Sequence, residues 1–189
     1  GLVLSQKWTE GKRRILIVGP ASLRKQWAQE IEEKFFLPSF IIESRNYNQI
    51  LKNGGRRPFE QPAIEICSFQ FAARYADELM VTPWDLVVID EAHRLRNVYR
   101  PDNKVGRALK TAFGNVPKIL LTATPLPNNL GELYVLVTLA VPGRLGTRVQ
   151  FEDDFARPIV AGRASGAPPD DVAEGELAAA WLGEICREV

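Results

Sequence analysis

Five short runs of aliphatic and β-branched residues punctuate the chain up to residue 121: Ile15 to Val18, Phe40 to Ile42, Ile64 to Cys67, Leu86 to Ile89 and Ile119 to Leu121. Their near-continuous apolarity reads as strands buried on both faces, the pattern of a parallel sheet rather than of a half-wet hairpin. Helical patterns separate them. In the clearest, Ser22 to Phe35, the residues Leu23, Trp27, Ile31 and Phe35 recur every four positions, with Ser22 placed to cap the first turn. Another runs from about Asn103 to Phe113 and stops at Gly114-Asn115 before Pro117. Strand and helix in repeated alternation predict an α/β fold, an open and mostly parallel sheet with helices on both faces. Sheets of this kind bind ligands beyond the carboxyl ends of their strands.

Lys52 to Pro62 and Arg163 to Asp171 carry the glycines and prolines of exposed loops. A helix is expected from Asn128 to Val141, where Asn129 and Glu132 have the spacing of a capping box and Leu130, Leu133, Tyr134, Leu136, Val137 and Val141 form a core face. Leu177, Trp181, Ile185 and Val189 mark one more helix, whose apolar stripe at the last residue suggests that the sequence continues. At 189 residues, the chain has room for one domain, read here as residues 1–150, and an extension, residues 151–189.

Charge follows the same division. The net charge is only +1, yet residues 1–60 carry +5, residues 61–150 carry +2 and residues 151–189 carry −6. A mildly basic body with an acidic tail is compatible with a phosphate-backbone partner and equally with an ordinary solvated surface. No apolar run approaches the roughly 20 residues a bilayer span needs, so a cytoplasmic protein without a membrane partner is expected. Cys67 and Cys186 lie far apart and outside any metal-ligand spacing, and read as core residues.

The chemistry concentrates at two strand ends. Leu86 to Ile89 delivers Asp90-Glu91-Ala92-His93, two adjacent carboxylates and the only histidine of the chain. Asp90 can reach Mg2+ directly or through a water, while Glu91, pointing differently, can polarise an attacking water, a division of labour suited to in-line phosphoryl transfer. About thirty residues on, Lys118 to Leu121 runs into Thr122-Ala123-Thr124-Pro125, bringing two hydroxyls to the same edge to bond the carboxylates and His93. The phosphate-cradling pattern G-x-x-x-x-G-K-[ST] occurs nowhere in these 189 residues.

Taken together, these segments resemble the first RecA-like lobe of superfamily-two helicase-type ATPases, a P-loop NTPase-type fold here without its phosphate loop, and most closely the Swi/Snf-type double-stranded DNA translocases. Ile15 to Leu23 with Gln26-Trp27 resembles the first DNA-contacting motif of that family, and Ile66-Cys67-Ser68-Phe69 the second. His93-Arg94-Leu95-Arg96-Asn97 resembles the basic extension of the acid box, with Arg96 where lysine is usual. Leu121 to Asn129, then Glu132-Leu133, is similar to the block that sets the family apart, and Phe155 to Ile159 to the element leaving the first lobe. Ala123, where many members have glycine, places the resemblance nearer the bacterial branch, and Pro127 replaces a frequent glutamine.

The resemblance implies ATP and Mg2+ as ligands, held by Asp90, Glu91, His93, Thr122 and Thr124, with Asp90 on the metal and Glu91 and Asp90 catalytic. It implies double-stranded DNA and a second RecA-like lobe as partners, with backbone contacts from Ser22, Arg24, Lys25, Ser68, Arg96 and Asn97 that carry no sequence information. It also leads us to expect Gly-Lys-Thr within about ten residues upstream of Gly1, and no ATP turnover by these residues alone. Three other readings stay open: a DNA-binding or regulatory module with a relic acid box, the motor of a restriction or phage-defence system, and a DEAH-type RNA helicase.

Overall fold

The computed structural model describes residues 1–54, 57–95, 103–122 and 130–187. They fall into two compact units, Gly1–Ala123 and Thr124–Val189.

In the first unit, α1 (Leu2–Thr9) precedes β1 (Ile15–Gly19), α2 (Arg24–Phe35), β2 (Ser39–Ile41) and α3 (Ser44–Lys52). Then come β3 (Ile64–Ser68), α4 (Phe69–Arg74), α5 (Ala76–Val81), β4 (Leu86–Ile89), α6 (Lys104–Ala112) and β5 (Lys118–Leu120). The five strands pair in the order β2-β3-β1-β4-β5, every pairing parallel. All five expected strands are present within a residue or so of their expected bounds. Burial on both faces holds only for β1, β3 and β4; β2 and β5 are half-buried, because each has a neighbour on one side alone among the described residues.

Period-two geometry sorts the strand side chains. Ile15, Ile17, Ile64, Ile66, Leu86 and Val88 form one core cluster with Leu4 of α1 and Ile31 of α2, and Trp27 packs against it. The alternate positions, Leu16, Val18, Glu65, Cys67, Val87 and Ile89, are equally buried on the other side.

Helix α2 starts differently from its expected form. Ser22 does not cap it: Ala21–Leu23 form a 3-10 turn closed by the Leu23 amide on the Pro20 carbonyl, and the helix begins at Arg24 with no side-chain cap. Its end is conventional, with Phe36 in the left-handed region at φ 53° and the amides of Phe36 and Leu37 bonding back to Glu32 and Ile31. Helix α6 begins at Lys104, with Asn103 Oδ1 accepting the Gly106 amide at 2.8 Å. Helix α3 was not foreseen; its signal is a capping box in which Glu43 and Asn46 serve each other's backbone amides. The Lys52 to Pro62 loop is anchored through Phe59, only 3% exposed, which joins Tyr47, Phe71, Tyr75 and Trp84 in an aromatic cluster.

The second unit contains α7 (Leu130–Ala140), α8 (Arg148–Phe151), a π-helical stretch (Glu152–Ala156), α9 (Arg157–Gly162) and α10 (Pro169–Arg187). Its core joins Tyr134, Val137, Leu145, Phe151, Phe155, Ile159, Ala178 and Leu182. The expected core face of α7 is present and wider than expected: Tyr134, Leu136 and Val137 are buried, Leu130 and Leu133 pack against the core, Val135 and Leu139 are buried as well, and Val141, just past the end, is 39% exposed. On α10, Gly175, Ala178 and Leu182 face inward, Ile185 packs at the margin of the core, and Leu177 and Trp181 are 73% and 56% exposed. Gly175 Cα lies opposite Gly162 on α9, and small residues there let the two backbones approach. The cap expected at Asn129 lies outside the described residues. No described helix is long and apolar enough to cross a membrane.

A Cβ at Gly175 would stand 2.8 Å from the Pro158 carbonyl oxygen and 3.2 Å from Gly162 Cα, both backbone atoms. We expect Gly175→Ala to cost about 1–3 kcal/mol of overpacking strain in chemical denaturation, where a surface Gly183→Ala costs nothing. Glu65, 2% exposed, accepts only the Gln61 amide on one oxygen, and burial pushes its carboxyl up to about 8. Between the ordinary carboxyl range and pH 8 the folded state therefore holds one more proton than the unfolded. Its contribution to stability should fall as pH rises through that window, by about 1.4 kcal/mol per pH unit at most. In Glu65→Gln that slope should vanish, read as the pH dependence of the urea midpoint.

Candidate nucleotide site

Chain direction creates a crevice. After β1 the chain turns to β2, on the far side of β3, whereas after β4 it turns the other way to β5. Between the carboxyl ends of β1 and β4 the connections diverge, which is where open α/β sheets hold their ligands. Gly19 ends β1 there and Asp90 follows β4, its amide donating to the Val18 carbonyl at 2.8 Å. The approach is close: a Cβ on Gly19 would lie 3.3 Å from the Cβ of Asp90.

Asp90 is half-buried, and both its oxygens are engaged. Oδ1 accepts the Glu91 amide at 2.9 Å and Oδ2 accepts the Trp27 indole N–H at 2.8 Å. Glu91 adopts φ 52°, in the left-handed region that non-glycine residues enter at a cost, and such outliers gather at functional sites. The conformation breaks the strand alternation and re-aims the second carboxylate. It is held by neighbours: Ala92 donates to the Leu121 carbonyl at 2.8 Å, Leu121 donates to Ile89 at 2.8 Å, and Arg94 donates to the Glu91 carbonyl at 3.0 Å.

This lacing ties the acid box to the end of β5. Glu91 Oε2 stands 3.0 Å from His93 Nδ1, and Thr122 Oγ1 stands 3.5 Å from the same nitrogen. The Glu91–His93 contact satisfies the distance but not the direction of a hydrogen bond, so Glu91 Oε2 is buried without a hydrogen-bond partner. A buried carboxylate oxygen lacking a donor is costly, and a water or ligand hydroxyl at that position would satisfy it.

Four of the expected nucleotide residues, Asp90, Glu91, His93 and Thr122, thus meet at one edge, while Thr124 lies outside the described residues. Among the described residues no three His, Cys, Asp or Glu side chains cluster as a self-sufficient metal cage. That suits Mg2+, which is commonly held by one or two carboxylates with waters and substrate phosphates supplying the other positions. Asp90 is the residue that would hold it.

The expected DNA-contacting residues divide. Ser22 and Lys25 are exposed beside the carboxyl end of β1. Arg24 is tied inward, its guanidinium donating to the Ala21 carbonyl at 3.1 Å and to Glu43 at 3.2 Å. Ser68 pairs in register with Gly19, so it shares the edge, but it is only 7% exposed and its hydroxyl caps α4 by accepting the Phe71 amide. Arg96 and Asn97 lie outside the described residues. The sequence places Trp27 on the apolar face of its helix and, with Gly19, in the segment resembling the first DNA-contacting motif, but gives neither a part at the acid box. The period-two face shared by Leu86, Val88 and Asp90 was a usable signal for the first, once α2 is known to cover that face.

The profile of the SNF2-related domain matches residues 2–189. The chain is 35% identical over 160 residues to the ATP-dependent helicase YqhH of Bacillus subtilis, covering 83% of this chain and 26% of that protein. It is 30% identical to the RNA polymerase-associated protein RapA of Klebsiella pneumoniae, covering 100% of this chain and 20% of that one. The chain therefore spans about a quarter or less of these relatives. Among solved structures, the SWI2/SNF2 ATPase core of Sulfolobus solfataricus in complex with dsDNA superimposes with a TM-score of 0.69 at 27% identity, over 94% of this chain and 34% of that one. A parallel sheet in the RecA-like arrangement, an acid box at its carboxyl edge and a profile match along almost its whole length agree: the chain belongs to the SNF2-related domain family.

Proposed function

We propose that this chain is the nucleotide-binding part of an ATP-dependent motor that moves along double-stranded DNA, of the bacterial Swi/Snf branch and cytoplasmic. Residues 1–150 serve as the first RecA-like lobe and residues 151–189 as an acidic extension toward a second lobe. The observation that carries the reading is the juxtaposition of Asp90, Glu91, His93 and Thr122, with Glu91 Oε2 buried and lacking a hydrogen-bond donor. The family membership and the likeness to a SNF2 core solved with dsDNA support it.

Mg2+ bound with the nucleotide would supply positive charge to the phosphates, and Asp90 would hold it. Glu91 accepts the proton of the water whose oxygen attacks the γ-phosphorus as the bond to the bridging oxygen breaks, releasing ADP and phosphate. His93, between Glu91 and Thr122, couples the acid box to the end of β5 and, with Thr124, reports the state of the nucleotide. Ser22 and Lys25, exposed at the same edge, touch the DNA backbone, with Arg96 and Asn97 beyond the acid box extending the track. Ser68 acts from beneath by fixing the start of α4, and Arg24 contributes after exchanging its Glu43 partner for a phosphate.

Phosphoryl transfer also needs a phosphate-loop lysine and an arginine from a second lobe, so residues 1–189 alone should not turn over ATP. The test is ATP hydrolysis by the full-length protein with duplex DNA, single-stranded DNA or RNA. Stimulation by duplex DNA is expected, together with a fall in kcat of at least about 100-fold in Glu91→Gln. Equal stimulation by RNA would favour an RNA helicase, and DNA binding without hydrolysis would favour a binding module.

A further inference from the structure

The indole of Trp27 hydrogen-bonds a carboxylate of the acid box. Trp27 lies one turn past Leu23 on α2 and packs against the cluster of Leu4, Ile15, Ile17 and Ile31. Its ring needs no hydrogen bond to occupy that place. Yet Nε1 points to Asp90, 63 positions away in sequence, and donates to Oδ2 at 2.8 Å. The meeting depends on two features of the crevice. Asp90 continues the face of Leu86 and Val88, the face α2 covers, and Gly19 has no Cβ to crowd it from the neighbouring strand. A cavity of about 160 Å³ lined by Leu23, Gln26, Trp27, Glu30 and Asp90 adjoins the pair.

An indole N–H only donates and cannot itself bind a cation. A carboxylate has about four acceptor sites, of which the Trp27 and Glu91 amide bonds take two on different oxygens, leaving the others in one defined orientation. Partners of this kind around a metal-binding carboxylate fix its geometry, and their loss commonly costs 10–100-fold in metal affinity. We propose that Trp27 is a positioning residue of the nucleotide site, orienting the Asp90 carboxylate toward Mg2+. The inference rests on reading the site as a Mg2+-nucleotide pocket.

The experiment compares wild-type full-length protein with Trp27→Phe, which keeps a ring in the core and deletes the donor; Trp27→Met, which also fills apolar space without a donor, replaces it if the phenylalanine variant fails to fold. Steady-state hydrolysis is measured across Mg2+ concentration. We expect a rise of about tenfold or more in the Mg2+ needed for half-maximal rate, with kcat restored at saturating Mg2+ and little change in melting temperature. The bond itself is read on 15N-tryptophan-labelled protein. The indole resonance missing in Trp27→Phe should move, and exchange faster with solvent, in Asp90→Ala. An unchanged Mg2+ requirement, a loss that no Mg2+ concentration recovers, or an indole resonance indifferent to Asp90→Ala would overturn the proposal. Absence of hydrolysis in the wild type would defeat the motor reading instead, and the indole resonance, in Asp90→Ala and under Mg2+ titration, would then decide the role of Trp27.

Discussion

The burial of β1 between β3 and β4 is the constraint on which the rest of the first unit depends. A strand without solvent on either face has its backbone groups satisfied by its neighbours, since an unpaired buried amide costs about as much as a lost hydrogen bond. Parallel pairing on both sides of β1 then brings Gly19, Ser68 and Asp90 to one edge. The apolar core and the position of the functional edge are therefore consequences of one pairing scheme.

At that edge, strain and satisfaction are traded between adjacent residues. Glu91 sits in a left-handed conformation, and the surrounding bonds, Ala92 to Leu121 and Arg94 to Glu91, hold it there. The same turn leaves Glu91 Oε2 buried beside His93 without a well-directed donor. Local cost of this kind is tolerated where the scaffold over-determines the backbone. Asp90 illustrates the opposite condition, with donors on both oxygens and a fixed orientation.

Much of this was legible in advance. Short, nearly uninterrupted apolar runs mark strands, so all five are legible, and the carboxylates and Thr122 can be assigned to strand ends from spacing alone. The errors share a cause. Ser22 has the chemistry of a cap, but the chain enters α2 through a 3-10 turn that removes it from the capping position. Leu177 and Trp181 mark an apolar stripe on α10, but the Gly162–Gly175 approach decides which face of the helix packs closest. The half-buried state of β2 and β5 depends on sheet order, which no local pattern contains.

The sequence by itself determined the class of fold, the strands and the identity of the acid-box residues, because side-chain periodicity and apolarity act over a few neighbouring positions. Tertiary structure alone decided which of those residues meet. Trp27 and Asp90 are 63 positions apart, and their contact exists because α2 covers the face of β4 that ends in Asp90. The approach of His93 and Thr122, expected from the two strand ends, takes its distance from the Leu121 carbonyl accepting the Ala92 amide. Such contacts follow from strand order and helix placement, and these are set by burying the whole sheet at once rather than by any one segment.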